Sequence, residues 1–169
     1  MNELVIGAGN LKHKVLFFVQ DGKEFKNPTT VDIDPNCNPD ILHDLNVFPY
    51  PFPDGEYDEI HAYEILEHLG TQGDWKFFFQ QFKEFHRVLK TPGHIFITVP
   101  LWNGPYAWCD PGHTRVMPLN MFSFLSQKTY EIMVGNSAMA DYRHYWDKNF
   151  DIIQYEEKEG RLYLVLKKG

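Results

Sequence analysis

Apolar and polar positions fall along this chain in blocks that predict strands alternating with helices. Leu4-Val5-Ile6 is a short apolar run ending in Gly7-Ala8-Gly9-Asn10, the pattern of a buried strand entering a glycine turn. Thr29–Ile33 is rich in β-branched residues and closes on Asp34-Pro35, where proline ends a strand. Ile41–Leu45 is a third short candidate, and after the Pro-rich link Phe48–Gly55 the stretch Tyr57–Ala62 alternates as a fourth. From Trp75 to Leu89 the apolar Phe78, Phe82, Phe85, Val88 and Leu89 recur at three- and four-residue spacing, with Lys76, Lys83, Glu84 and Arg87 between them. That period predicts an amphipathic helix, stopped at Thr91-Pro92-Gly93 and followed by a buried strand over His94–Val99. Pro118–Ser126 and Lys128–Val134 read as helical pieces with Asn120 and Ser126 as caps. Phe150–Glu156 and Arg161–Lys167 read as a hairpin around Lys158-Glu159-Gly160. Lys14–Phe25 is ambiguous: Val15–Val19 fits a helix, but Asp21-Gly22 suits a two-residue hairpin turn, and extended structure is preferred. The order predicts an α/β fold, a doubly wound, mostly parallel sheet with an antiparallel C-terminal hairpin strand.

A length of 169 residues matches a single domain, 1–169, and 43% apolar residues suffice for one core. The net charge of −7 offers no general attraction to phosphate backbones or anionic membranes, so a nucleic-acid partner is not expected. Its distribution says more. Ten acids and no Lys or Arg lie between Val31 and Glu67, leaving the rest of the chain at about +3. Such a segment suits recognition of a diol, an amine or a cation, unless it is merely a solvated acidic surface. Two cysteines, Cys37 and Cys109, are too few for a disulfide framework, and the first residues lack a basic-then-apolar leader pattern. A cytoplasmic chain with reduced thiols is expected. No apolar stretch approaches the roughly 18 residues that span a bilayer, so no membrane association is expected.

The candidate chemistry gathers at strand ends. A G-x-G turn alone serves many purposes, but Asp32 ends the next strand, where a carboxylate can accept two hydrogen bonds from a ribose diol. Asp44 follows the third strand, placed to accept from an exocyclic amine such as adenine N6. Three such elements at carboxyl ends form a nucleoside cradle in the crevice where open α/β sheets bind ligands. The third glycine of the dinucleotide fingerprint is replaced by Lys12, which disfavours a nicotinamide-dependent oxidoreductase, and no phosphate-binding P-loop occurs.

From Val5 to the terminal hairpin, the chain resembles the class I S-adenosylmethionine-dependent methyltransferases, of Rossmann-like fold. The resemblance runs through Val5–Asn10, Val31–Pro35, Asp40–Leu45, Pro51–Asp54, Tyr57–Ile60, Ile65–Leu69 and Phe85–Gly93; each motif is loose, and their order is what is specific. It implies S-adenosylmethionine as cofactor, with S-adenosylhomocysteine as product. Gly7, Ala8, Gly9 and Asn10 would pass beside its methionine part, Asp32 and Ile33 would meet the ribose, and Asp44 and Leu45 would flank the adenine. Glu64 and Ile65 would floor the site. Asp34 is the alternative ribose carboxylate. The family's usual acid two places before the first glycine is Val5 here, which removes one contact to the methionine amino group.

Within the family the chain is similar to a small subset that combines a G-x-G-N loop with Trp-x-Asp-Pro-x-His, here Trp108–His113. That loop, with Trp102, Trp108, Asp110 and Arg115, is where a methyl acceptor is expected. Its nature is open among small molecule, sugar and protein side chain. For a weakly acidic acceptor His113 is the candidate general base, with Asp110 orienting it. In the structural alternative, His113 and Arg115 only fix the loop, and His68 only ends a helix. Cys109, Asp110 and His113 lack a second ligand pair at zinc spacing, so no metal is expected. A catalytically silent scaffold of the same fold and association into a homo-oligomer stay open.

Overall fold

The computed structural model describes residues 1–169. Seven strands form one sheet: β1 (Glu3–Ile6), β2 (Pro28–Asp32), β3 (Ile41–Leu42), β4 (Tyr57–Tyr63), β5 (Leu89–Pro100), β6 (Phe150–Lys158) and β7 (Arg161–Lys168). Their spatial order is β3-β2-β1-β4-β5-β7-β6. The first five are parallel, while β7 runs antiparallel to both β5 and β6, so the expected mixed sheet with its terminal hairpin is what forms. The order reverses at β1 and β4, and that switch point is where the carboxyl ends of adjacent strands diverge to leave a crevice.

Helices cover only one face. Helix α1 (Trp75–Val88) starts at Asp74, whose carboxylate accepts the Phe77 N–H, and packs Phe78, Phe79, Phe82 and Phe85 onto Leu4, Ile6, Ile60, Ile95 and Ile97. Two short helices, α2 (Leu119–Phe122) and α3 (Gln127–Met133), complete this layer with a one-turn 3-10 helix between them. Ser126 caps α3 as expected, but Asn120 lies inside α2, which begins after Pro118 without a side-chain cap. Nor does the chain pause after α1. Strand β5 starts at once with Leu89, paired to Tyr57 across a bulge, so Thr91–Gly93 lies within a strand five residues longer at its start than its apolar core predicts.

The opposite face is covered by the irregular segment 7–27, a correction to the extended structure preferred for Lys14–Phe25. Leu16 and Phe18 pack on Tyr63, Phe96 and Val165, while Val15, Phe17 and Val19 are exposed. What holds this segment is polar and buried. Lys14 Nζ lies 2.6 Å from Glu3 Oε1 on β1 and 2.7 Å from Glu59 Oε2 on β4. The other Glu3 oxygen accepts the Lys26 and Asn27 N–H groups, and His61 Nε2 stands 3.1 Å from the same Glu59 oxygen. The Tyr63 hydroxyl then joins His61 Nδ1 to the Leu16 backbone. Lys14 is drawn upward from its ordinary pKa by the two carboxylates, which are held down in turn, Glu3 by Lys14 and Glu59 by His61 and Lys14, while burial lowers that of His61. No helix of the protein is long and apolar enough to cross a membrane.

Candidate functional site

The crevice at the carboxyl edge is built by four strand ends. Gly7 and Gly9 leave β1 with φ of +59° and +49°, values that favour glycine. A Cβ on Gly7 would lie 2.5 Å from Ile65 Cγ1, so the glycine is what lets the end of β4 close against the turn; at Gly9 an added Cβ meets nothing within 4 Å. Asp32, at the end of β2, accepts the Gly9 N–H at 2.8 Å through one oxygen and the Asp34 N–H at 2.9 Å through the other. It therefore shapes the glycine turn and keeps a lone pair on each oxygen for a further donor. Asp34 is exposed and committed locally, accepting from the Asn36 N–H and side-chain amide. Ile33, 64% exposed, is an apolar surface without a protein partner beside them.

Asp44 lies beyond β3 and accepts from both nitrogens of Asn46 with one oxygen, leaving the other free. Leu45 is buried and its carbonyl accepts the Tyr50 hydroxyl. Asn46 in turn accepts the Gly70 N–H, tying this strand end to the turn before α1. Glu64 sits at φ +51° after β4; Arg161 Nε donates to its Oε2 at 3.2 Å, and its Oε1 is buried with no partner. Gly7, Ala8, Gly9, Asp32, Ile33, Asp44, Leu45, Glu64 and Ile65 are thus distributed around one edge, with Asn10 exposed at its rim.

The acceptor-loop candidates divide. Trp102 and Trp108 are exposed, at 54% and 69%. Asp110 does not orient His113: its Oδ1 accepts the Gly112 N–H at 2.7 Å, closing its own turn. The His113 Nδ1–H donates instead to the Ala107 carbonyl at 3.1 Å. Arg115, named both as an acceptor-site residue and as one that only fixes the loop, is held by bonds of the second kind. It is buried, donating from Nε to the Leu66 carbonyl and from a terminal nitrogen to Gln81 Oε1, and burial lowers its pKa to about 10. It nevertheless lines a cavity of about 250 Å³ with Trp75, Phe78, Phe79, Met121 and Phe124.

Glu67 is a functional candidate that the pattern of the sequence did not single out, and His68, considered there only as a helix-end histidine, stands next to it. They occupy a 3-10 turn, Leu66–His68, after β4. The Glu67 carboxylate is 2% exposed with both oxygens unpartnered, and burial, aided by Glu64 and by Asp110, pushes its pKa up to about 8. A carboxylate among apolar neighbours in Ile65-Leu66-Glu67-His68-Leu69 was the available signal.

No protein-family model matches the chain, and no curated protein matches it in sequence. Solved structures do match. A SAM-dependent methyltransferase from Archaeoglobus fulgidus superposes with a TM-score of 0.57 and 15% identity, over 99% of this chain and 86% of that one. The fold is that of the SAM-dependent methyltransferases. The 1,6-didemethyltoxoflavin-N1-methyltransferase of Burkholderia thailandensis, solved with S-adenosylhomocysteine bound, gives 0.55 at 14% identity over 99% and 70% of the two chains. The [4+2]-cyclase SpnF gives 0.58 at 13% identity over 99% and 74%. This fold thus carries more than one chemistry, and the reaction has to be argued from the site.

Proposed function

We propose that the protein is a SAM-dependent methyltransferase. One observation carries this reading most directly: the Asp32 carboxylate, fixed by the Gly9 N–H at the end of β2, retains acceptor capacity toward the crevice that a ribose diol would use. The remaining residues fit the same cofactor. Ile33 offers an apolar platform for a base, and Asp44 an unused oxygen for an exocyclic amine. The orphaned Glu64 Oε1 is matched to an ammonium, the contact that Val5 does not provide at the family's usual position. Gly9 leaves open space beside the turn for a ligand's backbone approach. When bound, the cofactor supplies a methyl group on a sulfonium, already a good leaving group, so what the protein adds is alignment of the acceptor in line with it.

Calorimetry with S-adenosylmethionine, S-adenosylhomocysteine and NAD(H) tests the reading. Binding of the first two, weakened by Asp32→Ala by about 1.5–3 kcal/mol, or roughly 10- to 150-fold, is expected. Binding of NAD(H) alone refutes it. Transfer of labelled methyl to an acceptor, identified by mass spectrometry, separates an enzyme from a scaffold that only holds the cofactor.

A further inference from the structure

We infer that Glu67, His68 and His113 form a binding site for a single divalent transition-metal ion, of the two-imidazole, one-carboxylate type. The ligating atoms of the three side chains all lie within 4.8 Å of one another, and His113 Nε2 is 3.9 Å from Glu67 Oε1. Ligand atoms around a tetrahedral zinc stand about 3.4 Å apart, so side-chain movements of about an ångström complete the set.

Three independent features favour an ion over a chance cluster. Both histidines are held in the tautomer that ligation needs: His68 Nδ1 lies 3.1 Å from the Gly112 carbonyl, and His113 Nδ1 the same distance from that of Ala107. Each Nδ1 donates to a backbone oxygen and each Nε2 lone pair is left over, the outer-shell arrangement that orients metal-bound imidazole. The third member, Glu67, is a 98% buried carboxylate with no hydrogen-bond partner on either oxygen, an arrangement that is costly until a cation or donor satisfies it. Finally, the two segments are locked together around it. The Glu67 carbonyl accepts from the Thr114 N–H, the Thr114 hydroxyl and the Arg115 N–H, and the Leu66 carbonyl from Arg115 Nε. Gly112 stands so near that a Cβ there would come within 3.0 Å of His68 Nδ1.

The nearest comparison lies in the same molecule. Glu3, Glu59 and His61 also bring possible ligand atoms together, but Lys14 Nζ already supplies the cation between those carboxylates. No Lys or Arg forms an ion pair with Glu67: Arg115, the nearby cation, donates to the Leu66 carbonyl and to Gln81 and leaves both Glu67 oxygens without a hydrogen bond. Three protein ligands leave coordination positions for water or a ligand oxygen, and two imidazoles with one carboxylate suit zinc, iron(II) or manganese(II) better than calcium or magnesium.

The test is direct metal binding by the full chain and does not depend on methyl transfer. After dialysis against a chelator, zinc chloride is titrated against a competing chromogenic chelator, and bound zinc is counted by mass spectrometry. One equivalent is expected, with a rise in melting temperature on zinc addition. His68→Ala, at a half-exposed position, and Glu67→Gln, which keeps the side-chain shape, should each lower zinc affinity at least tenfold. Circular dichroism checks that both fold. His13→Ala and His43→Ala, at histidines elsewhere, the first exposed and the second half-buried, should bind as the parent does. X-ray absorption of the zinc-loaded protein should show two imidazole ligands. Less than one equivalent bound by the parent, or equal affinity in folded His68→Ala and Glu67→Gln, overturns the site.

Discussion

Replacing Lys14 by Met isolates the device that holds segment 7–27 onto the sheet. Methionine keeps the apolar stem and removes only the ammonium, leaving Glu3 and Glu59 facing each other without a cation. Lys14 and Glu3 are fully buried as side chains and Glu59 nearly so, so water cannot replace the lost charge. Breaking a buried pair by removing one partner costs about 3–5 kcal/mol. For a chain of this size, that corresponds to a melting point lower by roughly 6–20 °C. The pH dependence gives a second, independent signature. Glu3 and Glu59 are held below their ordinary value of 4.5, so the stability they contribute is present above that value and lost as pH falls through their lower folded values. Lys14 is held above its ordinary 10.5, so its contribution is complete below that value and lost as pH rises beyond it. In Lys14→Met one carboxylate takes up a proton more readily than in the unfolded chain, so its deficit shrinks toward pH 5 and grows toward pH 8. Adding Glu59→Gln should recover part of the loss. Urea denaturation at pH 5 and pH 8 measures this; a deficit under about 1 kcal/mol and equal at both values refutes the role given to Lys14.

Other outcomes follow from the same geometry. Gly9→Ala should cost only the left-handed backbone penalty of about 1–2 kcal/mol, whereas Gly7→Ala adds a collision with Ile65 and should cost a further 1–3 kcal/mol or so; equal losses in urea titrations contradict the packing. Glu64→Gln should weaken S-adenosylmethionine binding about tenfold, in calorimetry, if its orphaned oxygen meets the methionine ammonium, and an unchanged affinity removes that contact. Phe82→Ala, in the middle of the α1 contact, should destabilise by about 3–5 kcal/mol without altering cofactor affinity in the surviving folded fraction.

The sequence made legible what is local or periodic. Helix α1 shows in a 3.6-residue repeat of phenylalanines, β1 and β2 show as apolar or β-branched runs ended by Gly7 and by Asp34-Pro35, and β4 shows as an alternating run. What escaped depends on partners far along the chain. Segment 7–27 looks extended until Lys14 is placed between Glu3 and Glu59, the latter 45 residues away. The early start of β5 depends on Leu89 pairing with Tyr57, not on any apolar run. The candidate cofactor carboxylates could be picked out because they stand at or just past strand ends: Asp32 closes β2 and Asp44 lies two residues beyond β3. That Glu67, His68 and His113 converge was not legible, although both histidines were named singly, because zinc spacing is a local pattern and the ligand atoms here meet only when the loop after β5 folds back on the turn after β4.

The clamp on segment 7–27 also sets where the chain can change length. Gly9 is fixed by Asp32 and Lys14 by two strands, so an insertion or deletion between them would pull either the glycine turn from its carboxylate or the ammonium from its cage. Beyond Phe18, the last residue of this stretch packed on the sheet, the constraint is released. The Lys14 N–H donates to the Lys23 carbonyl, closing a loop whose tip carries Val19 at 91% exposure. Extra residues at that tip would add little closure entropy and disturb no buried group, so a tag, a reporter or a second domain could be carried there while the cofactor edge stays in register.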